Sequence, residues 1–340
     1  MTGAVDPREV LVVVPTLNEE AHIETCLRSL MDDDPRMAAV SVVVSDGGSA
    51  DATRRIVEDL ARARPTLRLV DNPGRLQASA MNRAVEHAAG PDHRILVRCD
   101  AHSAYPPGFV LGVAESLASR GGASVAVPMD ASGDGCFQRA VAFITDTPLG
   151  SGGSAHRGGT MSGWVDHGHH AGFDIGWYRK VGGYDETFAH NEDAEYDRRL
   201  VEAGGTIWLD ADLRISIAPR STIGGLAKQY WRYGRGRART VLRHRMRPRL
   251  RQMIPVAHTL TLAAGAGIAT AHWIGLVYPL AYLALCCLIG VWAAVRMKSA
   301  CGLWAGAALL VMHTSWGAGF LRQVAVGQGA GPKLMNAGGA

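Results

Sequence analysis

The sequence predicts an α/β fold: a mixed, mainly parallel sheet with helices on both faces, followed by C-terminal transmembrane helices. Three observations predict it. Apolar β-branched runs alternate with helical patterns through the first hundred residues, which is typical of a parallel sheet covered by helices. Polar residues stand at the end of each apolar run. A long uncharged stretch begins at Ile254.

The N-terminal elements follow from local patterns. "EVLVVVPTLNEE" (9–20) is apolar up to Pro15 and then polar, which predicts a strand and a turn. Residues 21–31 place apolar side chains on one helical face. The remaining elements are expected as a strand, Gly-rich turn and helix in 40–61, a strand in 67–74, a helix in 76–88 and a strand in 94–100. Ligands of such sheets bind beyond the carboxyl ends of the strands.

The C-terminal part predicts membrane helices. The 42 residues from Ile254 to Val295 include no Asp, Glu, Lys or Arg, about twice the roughly 20 residues that one crossing needs. A second uncharged run covers Ser299–Leu321. Buried helices of a soluble protein are the alternative, but such helices usually have a charged face. We therefore expect three transmembrane helices, at about 254–272, 276–295 and 299–321.

Charge is distributed unevenly along the chain. All 31 acidic residues precede residue 220, whereas 15 of the 35 Lys and Arg lie from Arg220 onward, which gives net charges of −11 and +15. Nine arginines without an acid lie between Arg232 and Arg251. Because positive loops stay in the cytoplasm, we expect the first 250 residues there. We also expect no signal peptide, since the N-terminus leads directly into a strand.

The six cysteines form no CxxC pair. This spacing argues against a zinc site or a disulfide framework and is consistent with a reducing cytosol.

"RCDAH" (98–102) suggests metal chemistry at a strand end. The sequence contains neither a GxGxxG after the first strand nor a GxxxxGK[ST] motif, which argues against a dinucleotide fold and a P-loop. Asp100 and His102, two residues apart on an extended backbone, would point to the same side. A carboxylate and an imidazole suit Mn²⁺ or Mg²⁺ when phosphates supply further ligands. The alternative is a turn-capping Asp beside a solvent-exposed His.

Four motifs in order resemble family 2 glycosyltransferases with the GT-A fold. They are "VVPTLNEE", "VSDGGSADAT", "RCDAH" and "HNEDAEYDRRL" (190–200). "QYWRY" (229–233) resembles the QxxRW element of membrane-embedded members. "DAHSAYPPGFV" and "GGYDETFAHNEDAEYDRRL" resemble in particular the bacterial succinoglycan-type exopolysaccharide glucosyltransferases. The resemblance covers about residues 9 to 240.

The resemblance implies a role for several residues by position. Asp46 would hydrogen-bond the uracil or ribose, although it could be only a turn residue. Asp51 would cap the following helix, and Asn82 would lie near the base or diphosphate with Arg75, which could instead be a solvated surface charge. His102 stands where the family motif has a second Asp. The implied metal ligands are Asp100 and His102, and the implied nucleotide-binding residues are Pro15, Thr16, Glu19, Asp46, Arg75 and Asp100.

The resemblance also implies the catalytic carboxylates. Asp193 matches the family's base, which would take the proton from an acceptor hydroxyl as that oxygen attacks the anomeric carbon. Glu192 precedes it on the opening turn of a helix and is included in the catalytic pair. The alternative is that both acids only complement the helix dipole.

Two segments remain open to more than one interpretation. "SGWVDHGHHAGFD" (162–174) is expected to be an acceptor-side loop, from which one of its histidines could reach the metal or the donor sugar; a zinc site is the alternative. Residues 228–252 could bind nucleic acid, lie on anionic lipid or join the active site. The membrane helices that follow argue against nucleic acid. On the acceptor and diphosphate side we expect Gln229, Arg232 and Tyr233.

The sequence thus predicts an inverting, metal-dependent glycosyltransferase in a bacterial inner membrane, with a cytoplasmic catalytic domain. It would move a hexose, most simply glucose, from a UDP-sugar to a lipid-linked or glycan acceptor in exopolysaccharide or surface-glycan synthesis. Transfer to polyprenyl phosphate is one alternative, and a non-catalytic sugar-nucleotide-binding scaffold is another. The expected domains are a catalytic domain (1–220), an Arg-rich interfacial arm (221–252), three transmembrane helices (253–325) and a flexible tail (326–340).

Overall fold

The computed structural model describes residues 5–103, 105–153 and 159–327. They form two compact units. Of the described residues, unit 1 comprises 5–103, 105–129 and 159–216, and unit 2 comprises 130–153 and 217–327. The segment 130–153 thus groups with the C-terminal helices, and the predicted domain bounds stay a prediction.

The described residues form ten strands and twelve α-helices. The strands are β1 (Val10–Thr16), β2 (Ser41–Asp46), β3 (Leu67–Asp71), β4 (Ile95–Arg98), β5 (Ser124–Val127), β6 (Met129–Ala131), β7 (Gly163–Val165), β8 (His169–Asp174), β9 (Ile207–Leu209) and β10 (Ile215–Ile217). The helices are α1 (Ile23–Met31), α2 (Thr53–Ala63), α3 (Gln77–Ala88), α4 (Phe109–Arg120), α5 (Cys136–Thr145), α6 (Pro148–Ser151), α7 (Ile175–Lys180), α8 (Glu192–Glu202), α9 (Ile223–Arg243), α10 (Leu250–Ala269), α11 (Val277–Met297) and α12 (Trp304–Val326).

Unit 1 is built on an eight-stranded sheet of order β3-β2-β1-β4-β8-β5-β9-β7. The first four strands in this order are parallel neighbours. Strand β8 is antiparallel to both β4 and β5, β9 is parallel to β5, and β7 is antiparallel to β9. The prediction of a mixed, mainly parallel sheet is confirmed, and the carboxyl ends of β1, β2 and β4 lie side by side.

Residues 162–174 were expected to be a loop, and this prediction is wrong. They form β7 and β8, and β8 fills the sheet position next to β4. Its inner residues are buried, with Phe173 fully inaccessible and in the core of unit 1. The sequence did not predict these strands because the histidines and glycines of this segment interrupt the apolar alternation that is typical of a strand.

Unit 2 is helical, and its core lies along α12. Ala305, Ala308, Leu309 and Met312 of α12 are buried in a cluster that also contains Leu226 of α9. Helix α5 contributes Ala140, Val141 and Ile144 to the same cluster. Much of the apolar surface of α12 is therefore covered by protein.

The predicted membrane helices are confirmed as helices, but three crossings are not. Among helices in the described residues, one, Trp273–Met297, is long and apolar enough to span a bilayer. It buries little of its surface, with Leu280, Leu288 and Val295 more than half exposed. Helix α10 contains Pro255. The buried apolar residues of α12 pack against α5 and α9. The uncharged run of α12 before Arg322 therefore reflects packing within the protein.

A disulfide joins Cys136, at the start of α5, to Cys301, just before α12, with Cα atoms 4.9 Å apart. The cysteine spacing predicted no disulfide framework, and for this pair the prediction is wrong. The two cysteines are 165 residues apart, so only folding brings them together and their spacing carries no signal. Cys26, Cys99, Cys286 and Cys287 are free thiols.

We expect this pairing to be visible by alkylation of the denatured protein. Iodoacetamide should modify four cysteines before reduction and six after it, as counted by intact mass, because one disulfide withholds two thiols. The Cys136→Ser variant, with Cys301 released, should show five modified thiols in both conditions. Six modified thiols in the unreduced wild type would contradict the pairing.

Candidate active site

The turns after β1 and β2 are joined by hydrogen bonds, so the two strand ends form one surface. The Asn18 amide N–H donates to Ser49 Oγ at 2.8 Å, and Asn18 Oδ1 accepts from the Ala50 N–H at 2.9 Å. Asp51 accepts from the N–H of Thr53, the first residue of α2, at 3.0 Å, although the N-cap residue itself is Ala52. The polar segments that the sequence placed at separate strand ends therefore support each other.

Asp46 lies at the end of β2 and is fully buried. One carboxylate oxygen accepts from the N–H groups of Gly48 and Ser49, both at 3.0 Å, and from Arg54 Nη1 at 2.9 Å. The Ser49 hydroxyl donates to the other oxygen. Asp46 thus closes the glycine turn. A bond from Asp46 to a base or ribose stays a prediction, and it would require this turn to open.

Asp100 follows β4, and the chain turns directly after it. The Ser103 N–H donates to the Asp100 carbonyl at 3.1 Å, so residues 100–102 are not extended as the sequence argument assumed. His102 is consequently exposed, and its Nδ1 lies 3.3 Å from Glu19 Oε1. The Asp100 carboxylate is four-fifths buried, with Oδ2 3.9 Å from Nε2 of His169.

Arg98 is the central charge of the site. Its side chain is 4% exposed, although it lies within a strand between apolar residues. Its Nη1 donates to Asp193 Oδ1 at 2.7 Å, and its Nε lies 3.4 Å from Asp100 Oδ1. Arg98 therefore links the strand end that carries Asp100 to the helix that carries Asp193.

Tyr184 and Asn82 hold Asp193 from the other side. The Tyr184 hydroxyl donates to Asp193 Oδ1 at 2.6 Å. Asn82 Oδ1 accepts from the Tyr184 N–H at 2.9 Å, and Asn82 Nδ2 donates to the Tyr184 carbonyl at 2.9 Å. Asn82 Oδ1 also accepts from the Tyr178 hydroxyl, and Asn82 Nδ2 also donates to Glu186. Asn82, which the resemblance placed near the base or diphosphate, thus positions the tyrosine that contacts Asp193.

Glu192 and Asp193 are the first two residues of α8, and their surroundings shift their pKa values in opposite directions. Burial opposes ionisation of Asp193, but the charges of Arg98, His170 and His169 and the bond from Tyr184 together lower its pKa below the ordinary value. Burial and the neighbouring charge of Asp193 raise the pKa of Glu192 to about 7. Asp193 is therefore an aspartate at neutral pH, while Glu192 changes protonation there.

The three histidines of residues 162–174 divide between two carboxylates. His167 Nδ1 lies 2.5 Å from Asp197, and His170, which is fully buried, also contacts Asp197. His169 faces Asp100 instead. The pair His167 and His170 thus fastens β8 to α8, and His169 is the histidine that the fold brings to the predicted metal site.

The residues at this strand end fit a divalent metal only in part. In the described residues no group of three or more His, Cys, Asp or Glu could hold an ion by itself. Asp100, His169 and His102 nevertheless offer one carboxylate and imidazoles at one strand end. Such a set suits Mn²⁺ better than Mg²⁺, which prefers oxygen ligands. An ion here would take its other ligands from the phosphates of a nucleotide.

The other predicted site residues are distributed over both units. Thr16 is buried, and its hydroxyl donates to the Val14 carbonyl at 3.0 Å, while Pro15 precedes it in β1. Arg75 is exposed, with its Cα next to the glycine turn at Gly47. Gln229, Arg232 and Tyr233 lie on α9 in unit 2, where Gln229 Nε2 donates to the Tyr233 hydroxyl at 3.0 Å. Their predicted roles stay predictions.

Sequence reasoning missed Arg98 and Tyr184 as functional residues. A signal for Arg98 was present, because a charged residue inside "ILVRCD" (95–100) must be paired if the strand is buried. No comparable signal exists for Tyr184, whose contact with Asp193 depends on the turn before α8.

The chain matches known proteins over most of its length. Residues 11–182 match the model of a family described as Glycosyl transferase family 2. The chain is 43% identical over 315 residues to "Succinoglycan biosynthesis protein ExoA" of Rhizobium meliloti, covering 92% of this chain and 94% of that protein.

Two more distant proteins are also similar. A Methanococcus voltae dolichyl N-acetyl-alpha-D-glucosaminyl phosphate 3-beta-D-2,3-diacetamido-2,3-dideoxy-beta-D-glucuronosyltransferase is 24% identical, over 66% of this chain and 71% of that protein. The structure of a Pyrobaculum calidifontis mannosyltransferase with GDP-Man and Mn²⁺ superposes with a TM-score of 0.60 at 21% identity, over 93% of this chain and 87% of that one. The latter likeness supports the fold.

We expect Arg98→Met to destabilise unit 1 by about 3–5 kcal/mol at neutral pH, because it leaves buried carboxylates without their cation. The loss should shrink as the pH falls: without Arg98 the pKa of Asp193 rises, and protonation then removes the unpaired charge. Urea unfolding of the two proteins from pH 4 to 7.5, followed by circular dichroism, measures both effects.

The matched control is Arg28→Met, which removes the exposed Arg28–Glu24 pair of α1. It should cost no more than about 1 kcal/mol, with little pH dependence. Equal losses for the two variants at pH 7.5 would show that Arg98 does not carry the ionic network.

Proposed function

Because the chain belongs to glycosyl transferase family 2, and is therefore a glycosyltransferase, we propose that it moves a hexose from a UDP-sugar to a lipid-linked or glycan acceptor. We propose glucose as the sugar, inversion as the stereochemical outcome and exopolysaccharide synthesis as the process. The identity with a succinoglycan biosynthesis protein over nearly the full chain supports the process. The sugar rests on the resemblance of the motifs to glucosyltransferases of that type.

The observation that carries this proposal is the Arg98 network. One buried guanidinium contacts both Asp100 and Asp193, so the diphosphate-side residue and the proposed base are held by the same group. A transfer reaction needs this proximity, because the acceptor oxygen must reach the anomeric carbon while the diphosphate departs. A protein that only bound the nucleotide would have no use for the carboxylates of α8 at this position.

The diphosphate is proposed to bind at the Asp100 end of β4. Asp100, with His169 and His102, would hold a divalent ion, preferentially Mn²⁺. The ion would offset negative charge on the departing UDP. The chain's own contribution is to orient Asp100: Arg98 lies at Oδ1, which leaves Oδ2 facing His169.

Asp193 is proposed to accept the proton of the acceptor hydroxyl. Arg98 and Tyr184 both donate to its Oδ1, which fixes the carboxylate and leaves Oδ2 to face the acceptor. Its lowered pKa keeps it ionised but makes it a weak base toward a free alcohol. The proton would therefore transfer late, once bonding to the anomeric carbon has made the hydroxyl acidic. An ionised Glu192 beside it would raise its basicity.

The first test is UDP release by membranes that carry the protein, with UDP-glucose, UDP-galactose or UDP-N-acetylglucosamine and lipid extract as the acceptor source. We expect release from UDP-glucose that requires Mn²⁺, is abolished by EDTA and falls at least a hundredfold in Asp193→Asn, since general-base catalysis contributes about 10²–10⁴-fold. Asp59→Asn, in an exposed pair of α2, is the control and should retain activity. Unchanged release by the Asp193 variant would exclude it as the base.

The second test is the pH dependence of kcat/KM for UDP release. The pKa of Glu192 is raised to about 7, so its charge is absent below that pH and present above it. We expect kcat/KM to rise through this region in the wild type and to lose this inflection in Glu192→Gln. An inflection that persists unchanged in the variant would assign it to another group.

A further inference from the structure

Helices α9 and α12 of unit 2 lie with their backbones in direct contact. A Cβ atom on Gly234 would lie 2.0 Å from the Trp316 carbonyl oxygen, and one on Gly319 would lie 2.2 Å from the Trp231 carbonyl oxygen. No side chain fits at either position. The two glycines therefore allow an approach that brings the long side chains on either edge of the contact together.

A cavity of about 110 Å³ opens beside this contact. It is lined by Trp231 and Arg235 of α9 and by Arg322, Gln323 and Val326 of α12. Trp231 and Arg235 are four residues apart, as are Arg322 and Val326, so each pair lies on one helical face. Each helix thus contributes one guanidinium and one apolar side chain.

The cavity is positively charged. Neither lining helix contains a carboxylate, and the sequence has no Asp or Glu after Asp212. Gln323 is buried at 2% exposure; its oxygen lies 3.4 Å from Arg235 Nε, and its nitrogen donates to the Gly327 carbonyl at 2.9 Å. The amide thereby fixes Arg235 without neutralising it. Two guanidiniums around a small cavity favour a phosphate group, which accepts paired hydrogen bonds from arginine.

The apolar lining favours a lipid as the bearer of this phosphate. Val326 lines the cavity and is 37% exposed. The Trp231 indole adds an amphipathic ring of the kind that lies at headgroup level. A hydrocarbon chain attached to the phosphate would cover this apolar surface, whereas a free phosphate ion would leave it in water.

We propose that the cavity binds the phosphate or diphosphate group of a polyprenyl lipid. The choice of a polyprenyl carrier over other anionic lipids rests on the proposed function, in which the acceptor sugar is lipid-linked. The cavity would then hold the carrier by its charged group, with the start of its chain against Val326 and Trp231.

The test is equilibrium binding of undecaprenyl phosphate to the full-length protein in neutral detergent, measured without a sugar nucleotide. Removal of both guanidiniums in Arg235→Gln/Arg322→Gln should weaken binding at least about tenfold, since each charge-assisted bond contributes substantially. The matched control Arg296→Gln/Lys298→Gln removes the same charge at the end of α11 and should bind within about twofold of the wild type. Circular dichroism and gel filtration establish that both variants are folded.

Two further ligands separate the sources of phosphate. Phosphatidylglycerol and inorganic phosphate should each bind at least about tenfold more weakly than undecaprenyl phosphate. Equal affinity for phosphatidylglycerol would overturn the assignment to a polyprenyl carrier, and equal affinity for inorganic phosphate would overturn the assignment to a lipid. Unchanged binding in the Arg235/Arg322 variant would overturn the site. Because no donor is present, failure of UDP release would not affect this result.

Discussion

The buried guanidinium of Arg98 is the interaction on which the site depends. The Arg98 side chain is 4% exposed, belongs to a central strand and contacts two carboxylates, Asp100 and Asp193. A charge at this depth is tolerated only when it is paired and hydrogen-bonded. The same pairing brings the end of β4 and the start of α8 together, so the condition for burying Arg98 is also the condition that assembles the site.

Further contacts make this arrangement rigid. Asn82 of α3 fixes the backbone of Tyr184, and Tyr184 shares Asp193 Oδ1 with Arg98. His170 attaches β8 to α8 through Asp197. These contacts lie next to a core in which Phe173 packs edge to face with Tyr178, Tyr184 and Tyr196. Aromatic packing and polar contacts therefore hold the same helix, and the carboxylates of α8 keep their direction relative to the sheet.

Unit 2 follows a different constraint, which is the close approach of helices through glycine. Gly234 and Gly319 bring α9 and α12 together, and Gly306 permits a similar approach of α12 to the Cys286 carbonyl. This packing covers α12 and leaves α11 with its apolar surface exposed. An arginine-rich helix can pack along an apolar one because its small residues face the partner while its guanidiniums extend from the edges.

The sequence by itself determined the alternation of β1–β4 with α1–α3 and the sheet edge where the polar strand ends meet, because these depend on local apolar periodicity and turn residues. It also identified Asp100 and Asp193 through their motifs. Only the tertiary structure decided the strand at residues 169–174, the role of Arg98, the position of His169 beside Asp100 and the Cys136–Cys301 pair. Each of these rests on contacts between residues far apart in the chain, and such contacts leave no periodic or local pattern in the sequence.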